Sequence, residues 1–179
     1  MDEGEAIPAL VIAARGGDAA AVRRLYLRFA AVVHGVLLGY VQPADADDLT
    51  QDVFQTALQR LSELREPAAF PGWLLRIARH AALQRLRQRR PVAIEMTELA
   101  DAGTGPDTRL EAQHALAAIR GLPEAYRETL LLRLVEGLTG PEISARTGLT
   151  PGTVRVNLHR GMGLLRRALG VTAVVEVET

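Results

Sequence analysis

The sequence predicts an all-α protein of two small helical domains, residues 1–90 and 116–179, joined by a flexible acidic linker over 91–115, with a helix-turn-helix in the second. Three observations predict it. Of 179 residues, 48% are hydrophobic and only 4% aromatic, with Ala, Leu, Val and Arg prominent, which fills helices more readily than sheets. Apolar residues recur at helical spacing through most of the chain. Between Pro91 and Gly105 that periodicity fades into "DAGTGPD", the composition of a connector.

The first domain reads as three helices. In "AAAVRRLYLRFAAVVHGVLLGYV" (Ala19–Val41), Val22, Leu25, Tyr26, Phe29, Val32, Val33, Val36 and Leu37 form one apolar stripe, and Asp18 precedes it as N-cap. Pro43 ends that helix and opens the next, "ADADDLTQDVFQTALQRLSEL", with Leu49, Val53, Phe54, Ala57, Leu58 and Leu61 inward and an acidic face outward. After a turn holding Pro67 and Pro71, "GWLLRIARHAALQRLRQRR" sets Trp73, Leu74, Ile77, Ala78, Ala81 and Leu86 inward and its arginines outward.

In the second domain "TRLEAQHALAAIRGL" resumes a helix, and Pro123 starts another, "PEAYRETLLLRLVEG", stopped by Gly137. "GPEISARTG" follows as a short helix closed by Gly148, then Thr150 and Pro151 supply the cap and first-turn proline of a helix running to about Leu169. A short helix, a tight glycine turn and a longer capped helix are the parts of a helix-turn-helix. Ile143, Leu149, Val154, Leu158 and Leu165 are expected to fill its wedge, leaving Thr153, Arg155, Val156, His159 and Arg160 outward.

Charge locates function better than its total. The 21 arginines balance 21 acids, yet Trp73 to Arg90 holds six arginines and no acid, while Pro43 to Glu63 holds five acids and one arginine. A guanidinium row without acids repels itself, and a phosphate backbone relieves that repulsion by releasing condensed cations. Phe70 and Trp73 at the entrance of the basic helix offer faces for an unstacked base, or alternatively pack inward. Asp45, Asp47 and Asp48 complement a helix dipole, but Gln51, Asp52 and Gln55 extend the polar face past the first turn, so a basic protein surface is the second reading.

Several classes fall away. The chain has no cysteine, and its four histidines are scattered, so no metal site or cofactor is expected and the compartment reads as a reducing cytoplasm. The start "MDEGEAIPAL" is acidic where a secretory leader is basic, and no apolar run reaches the roughly 18 residues of a membrane span. Paired carboxylates without a nucleophile, ligand set or phosphate-cradling loop do not make an enzyme.

In that order, "DADDLTQDVFQTAL", "FPGWLLRIARHAALQRLRQRR" and "LPEAYRETLLLRLVEGLTGPEISARTGLTPGTVRVNLHRG" resemble the polymerase-binding helix, promoter-melting helix and upstream-element helix-turn-helix of the extracytoplasmic function (ECF) sigma factors, a group of the sigma-70 family. The resemblance implies a bacterial transcription initiation factor that binds core RNA polymerase (β′ clamp helices and β subunit), directs it to promoter DNA and helps melt it. It places Asp48, Gln51, Asp52 and Gln55 on the polymerase, and Phe70, Trp73, Arg76, Arg79, His80, Gln84 and Arg87 on the minus-ten element. Thr153, Arg155, Val156, His159 and Arg160 fall on the minus-thirty-five element, and the linker threads toward the catalytic cleft. An anti-sigma factor is a further implied partner, and the implied place is the cytoplasm, with nucleoid association in the holoenzyme. His80 and Gln84 stand where the family commonly has Asn and Asp, and "TVRVNLHRGM" replaces "TVKSRLHRAR", exchanging two cations for Asn157 and Met162. The alternatives are a helix-turn-helix regulator of duplex DNA, or a sigma-like interaction protein that no longer reads promoters.

Overall fold

The computed structural model describes residues 6–88 and 106–170, and every regular element among them is helical. The first half comprises α1 (Ile7–Arg15), α2 (Ala19–Leu38), α3 (Pro43–Gln59) and α4 (Phe70–Gln88). Two short 3-10 turns, Leu61–Glu63 and Pro67–Ala69, join α3 to α4. The second half comprises α5 (Pro106–Arg120), α6 (Glu124–Leu134), α7 (Gly140–Thr147) and α8 (Pro151–Ala168).

Local chemistry accounts for most boundaries. Asp18 accepts hydrogen bonds from the amides of Ala20 and Ala21 at the start of α2, and Pro43 occupies the first turn of α3, where a missing N–H costs nothing. Pro106 starts α5 inside the stretch expected to be linker, while residues 91–105, the acidic centre of that expectation, lie outside the described residues, as do Arg89, Arg90 and 171–179. The helix α1 was not anticipated. It buries Leu10 and Val11 against the first half, and its terminal Arg15 donates to the carbonyls of Leu61 and Leu64, closing the turn before α4.

The expected stripe of α2 is buried at Leu25, Phe29, Val32, Val33, Val36 and Leu37, whereas Tyr26 lies on the rim. Three inward expectations are corrected: Tyr26, Leu58 and Leu86 are 39%, 40% and 44% exposed. Leu58 and Leu86 fall near the ends of their helices, where the neighbouring elements no longer cover them, and Tyr26 lies at the edge of its stripe with its ring against Phe54. On α4, Leu75 and Ala82 occupy the interior instead.

Helix α6 organises the whole. Leu130, Leu131 and Leu132 are all essentially inaccessible. Successive helical residues are turned by about 100°, so three buried neighbours in a row require cover on most sides of the helix. Cover comes from α8 on one side and α2 on the other: the Leu130 side chain meets Gly161, and that of Leu132 meets Gly35. The two helical domains pack against each other, and their buried residues join in one core.

Candidate polymerase- and promoter-binding surfaces

Three surfaces carry the side chains expected to be functional. On α3 the apolar positions Leu49, Val53, Phe54 and Ala57 are buried, which turns Asp48, Gln51, Asp52 and Gln55 to solvent. Their spacing of three and four residues puts all four on one face. The preceding Asp45 is different: it is buried and accepts a hydrogen bond from Arg85 of α4 at 3.1 Å, tying the start of α3 to the basic helix. The exposed face is thus set by the core beneath it and by an ion pair beside it.

On α4, Arg76, His80, Gln84 and Arg87 are exposed and recur along one side. The other expected minus-ten residues sit elsewhere. Phe70 is 3% exposed and packs edge-on against Phe29 with centroids 5.3 Å apart, so it cannot receive a base in this conformation; the expectation of a stacking face is corrected to a core role. An aromatic at the first helical position, one turn before Leu74, lies on the inward stripe. Trp73 is partly buried beside it, with ring centroids 6.1 Å apart. Arg79 does not join the exposed row either, because its guanidinium is turned onto Glu128 of α6.

The third surface is the helix-turn-helix. Thr139 and Glu142 form a reciprocal capping box at the start of α7: the Thr139 side chain accepts from the Glu142 amide, and the Glu142 carboxylate accepts from the Thr139 amide and hydroxyl. Those bonds hold the exposed Glu142 carboxyl below its usual range. Gly148 closes α7 with φ 78°, a left-handed conformation a side chain would strain. Thr150 then caps α8 by accepting from the Thr153 amide at 3.1 Å. Ile143, Val154 and Leu165 fill the wedge as expected. Leu149 is 36% exposed, a correction that follows from its place in the turn, and Leu158 is only partly covered.

All five expected contact residues, Thr153, Arg155, Val156, His159 and Arg160, are exposed along α8, which carries four arginines and no acid. Asn157 faces α6 and not solvent. It is 7% exposed, and its side-chain amide donates to the Thr129 hydroxyl of α6 at 3.4 Å. At this position α8 presents a contact to α6. Below it, Gly161 lets α8 approach α6 closely: a Cβ there meets Leu130 atoms at 3.1 Å.

Sequence reasoning missed the contacts that join the halves. Arg120 donates from Nε to the Leu38 carbonyl at 2.9 Å and from Nη2 to the Val41 carbonyl at 2.5 Å. His34 of α2 holds Glu136 at 2.7 Å and lies 3.3 Å from Asp47 of α3. The hydrogen bond to Glu136 raises the imidazole pKa against the opposing effect of burial, with the charges of Glu136 and Asp47 adding to the rise. No local sequence pattern marks these pairs, since His34 and Glu136 are 102 residues apart.

Among the described residues no cluster of His, Cys, Asp and Glu is arranged to hold a metal, and no helix is long and apolar enough to cross a membrane. The arrangement offers binding faces: one acidic, one basic, and one helix projecting from a helix-turn-helix.

The comparisons follow the same division. Residues 25–92 match the family described as sigma-70 region 2, and residues 113–165 match sigma-70 region 4. The ECF RNA polymerase sigma factor ShbA of Streptomyces griseus is 36% identical, over 92% of this chain and 96% of that protein. The RNA polymerase sigma factor CarQ of Myxococcus xanthus is 34% identical, over 87% of this chain and 93% of its own length. Among solved structures, CnrH in complex with the cytosolic domain of CnrY superposes with a TM-score of 0.61 at 24% identity, covering 94% of this chain and 100% of that one. RpoE of Bartonella quintana, in complex with the anti-sigma factor NepR, gives 0.54 at 23% identity, covering 83% of this chain and 96% of that one. At those identities the structures establish the shared fold, while the sequence relatives extend over nearly the full chain, and the chain therefore belongs to the ECF group of sigma-70 RNA polymerase sigma factors.

Proposed function

We propose that the chain binds core RNA polymerase through Asp48, Gln51, Asp52 and Gln55, which meet the β′ clamp helices, with further contacts to the β subunit. The exposed row Arg76, His80, Gln84 and Arg87, with Trp73 at its entrance, then engages the minus-ten element and stabilises the opened strand. Thr153, Arg155, Val156, His159 and Arg160 enter the major groove of the minus-thirty-five element. The units that do this are residues 1–90 and 116–179, with 91–115 between them. The chain works by binding and positioning, not by chemistry of its own, in the cytoplasm and on the nucleoid when assembled with polymerase. An anti-sigma factor is a further partner, as NepR is for the Bartonella protein.

The observation that carries this reading is the acidic face of α3. Four polar side chains at three- and four-residue spacing stand exposed above the buried Leu49, Val53, Phe54 and Ala57, and they extend beyond the turn where a helix dipole accounts for acids. Reversing charge at Asp48 and Asp52 is the test. Both side chains are exposed, so the helical signal should persist while affinity for purified core polymerase falls by roughly tenfold or more, the scale of opposed charges at a complementary interface. Unchanged affinity with an intact helical signal removes the assignment.

A further inference from the structure

The contact between α4 and α6 has a geometry that packing alone does not require. Arg79 donates from Nε to Glu128 Oε1 and from Nη2 to Glu128 Oε2, both at 2.7 Å, and Glu124 lies 3.4 Å from the same guanidinium. The Tyr40 hydroxyl of the first half donates to Glu128 Oε1 at 3.2 Å, and the Arg127 guanidinium lies 4.4 Å above the Tyr40 ring. Glu128 is 8% exposed. Two parallel N–H donors are also how arginine holds two oxygens of a phosphate. Desolvating such a pair offsets much of its attraction, so a buried ion pair stabilises poorly and serves better as a register or a switch.

We infer that the Arg79–Glu128 pair is an internal lock: it holds the free chain closed, and Glu128 occupies on Arg79 the place that a promoter phosphate takes. The occupancy part rests on the promoter reading of α4 proposed above; the lock itself does not. Arg79 lies beside the exposed row Arg76, His80, Gln84 and Arg87, and closure keeps it from that row's ligand. Opening exposes Glu128 to water and frees Arg79, so strand binding and closure compete. The remaining contacts across the junction include the polar bonds of Arg120 to main-chain carbonyls and the pair His34–Glu136. Beside them lies the apolar contact of Leu132 with Gly35, so release of the ion pair shifts the balance between closed and open forms.

The test uses the full chain, which lacks cysteine and so accepts two introduced at the exposed positions Ser62 and Ala168 for a donor and acceptor dye. Two quantities are read: the dye separation, and the affinity for a fluorescein-labelled single-stranded DNA oligonucleotide. Glu128→Gln should lengthen the separation and tighten strand binding by roughly fivefold to tenfold, because apparent affinity rises with the fraction of molecules in the competent state. Arg79→Glu alone should lengthen the separation and lose strand binding. Combining it with Glu128→Arg should restore the short separation without restoring strand binding, a rescue that a misfolded single variant cannot give. A longer separation in Glu128→Gln with unchanged strand affinity upholds the lock and removes Arg79 from the promoter surface. A wild-type separation in Glu128→Gln, or failure of the charge swap to restore closure, overturns the lock.

Discussion

The seat of the recognition helix makes a paired prediction on two glycines of α8. Both Gly161 and Gly163 lie inside the helix, where exchange of Gly for Ala stabilises by about 1 kcal/mol through backbone entropy. Their surroundings differ. A Cβ on Gly163 meets nothing within 4 Å, whereas one on Gly161 sits 3.1 Å from both Cγ and Cδ1 of Leu130 and 3.3 Å from the Tyr126 Cβ. Ordinary carbon contacts are about 3.5 to 4.0 Å, so α8 must retreat by roughly half an ångström or Leu130 must move. Leu130 is completely buried and has nowhere to go. Overpacking of that kind costs about 1 to 3 kcal/mol, which meets or exceeds the gain in propensity. Gly163→Ala should therefore raise the melting temperature by about 2 to 4 °C, and Gly161→Ala should leave it unchanged or lower it by up to about 8 °C. Thermal unfolding followed by far-ultraviolet dichroism measures both. Because the propensity gain is shared, the difference between the variants isolates packing at about 1 to 3 kcal/mol. Equal stabilisation by the two substitutions would refute the close approach of α8 to α6, and with it the account of how Arg155 and Val156 are aimed.

Three other outcomes follow from the surfaces. Arg76→Ala with Arg87→Ala should impair open-complex formation more than closed-complex binding, read by permanganate footprinting; equal losses point to simple duplex binding. Arg155→Ala should cost about 1 to 3 kcal/mol and relax preference at one base pair if its contact is bidentate to a base, or lower the salt slope by about one if it touches phosphate, both read from binding titrations across salt. Silence on both measures removes Arg155 from the DNA surface. The closed form should also respond to pH through His34, whose imidazole faces Glu136 and Asp47. A raised pKa stabilises the closed form fully below the ordinary value of 6.5, and that contribution is lost as pH rises through the raised one. Dye separation should accordingly lengthen on the alkaline side and lose that response in His34→Gln, whereas a flat wild-type profile contradicts the assignment.

Local signals made the helices legible. Thr150 and Pro151 announce α8, Gly148 announces the turn before it, and alternation of apolar and polar positions on α3 distinguishes Asp48 and Asp52, which face solvent, from Val53 and Phe54, which do not. Position within a stripe is less reliable near its ends, which is why Leu58 and Leu86 were expected inside. Phe70 was ambiguous because an aromatic beside a basic row serves either a core or a ligand, and only the nearness of Phe29 decides. Polarity misled at Asn157, where a side chain read as a surface exchange fills the junction with Thr129. The contacts between halves left no trace in periodicity, since Arg79 and Glu128 are 49 residues apart and each is unremarkable on its own helix. One signal in the sequence does point to the junction: three consecutive leucines at 130–132 cannot share one helix face, and they forecast cover on several sides of the middle of α6.

The function at stake is promoter choice conferred on core RNA polymerase. It is tested most directly by run-off transcription on genomic fragments with purified core polymerase, mapping the 5′ ends produced with and without the chain. Discrete new start sites should appear that share paired upstream elements, require both proteins, and disappear when Asp48 and Asp52 are reversed in charge. A pattern of 5′ ends identical to that of core polymerase alone contradicts it.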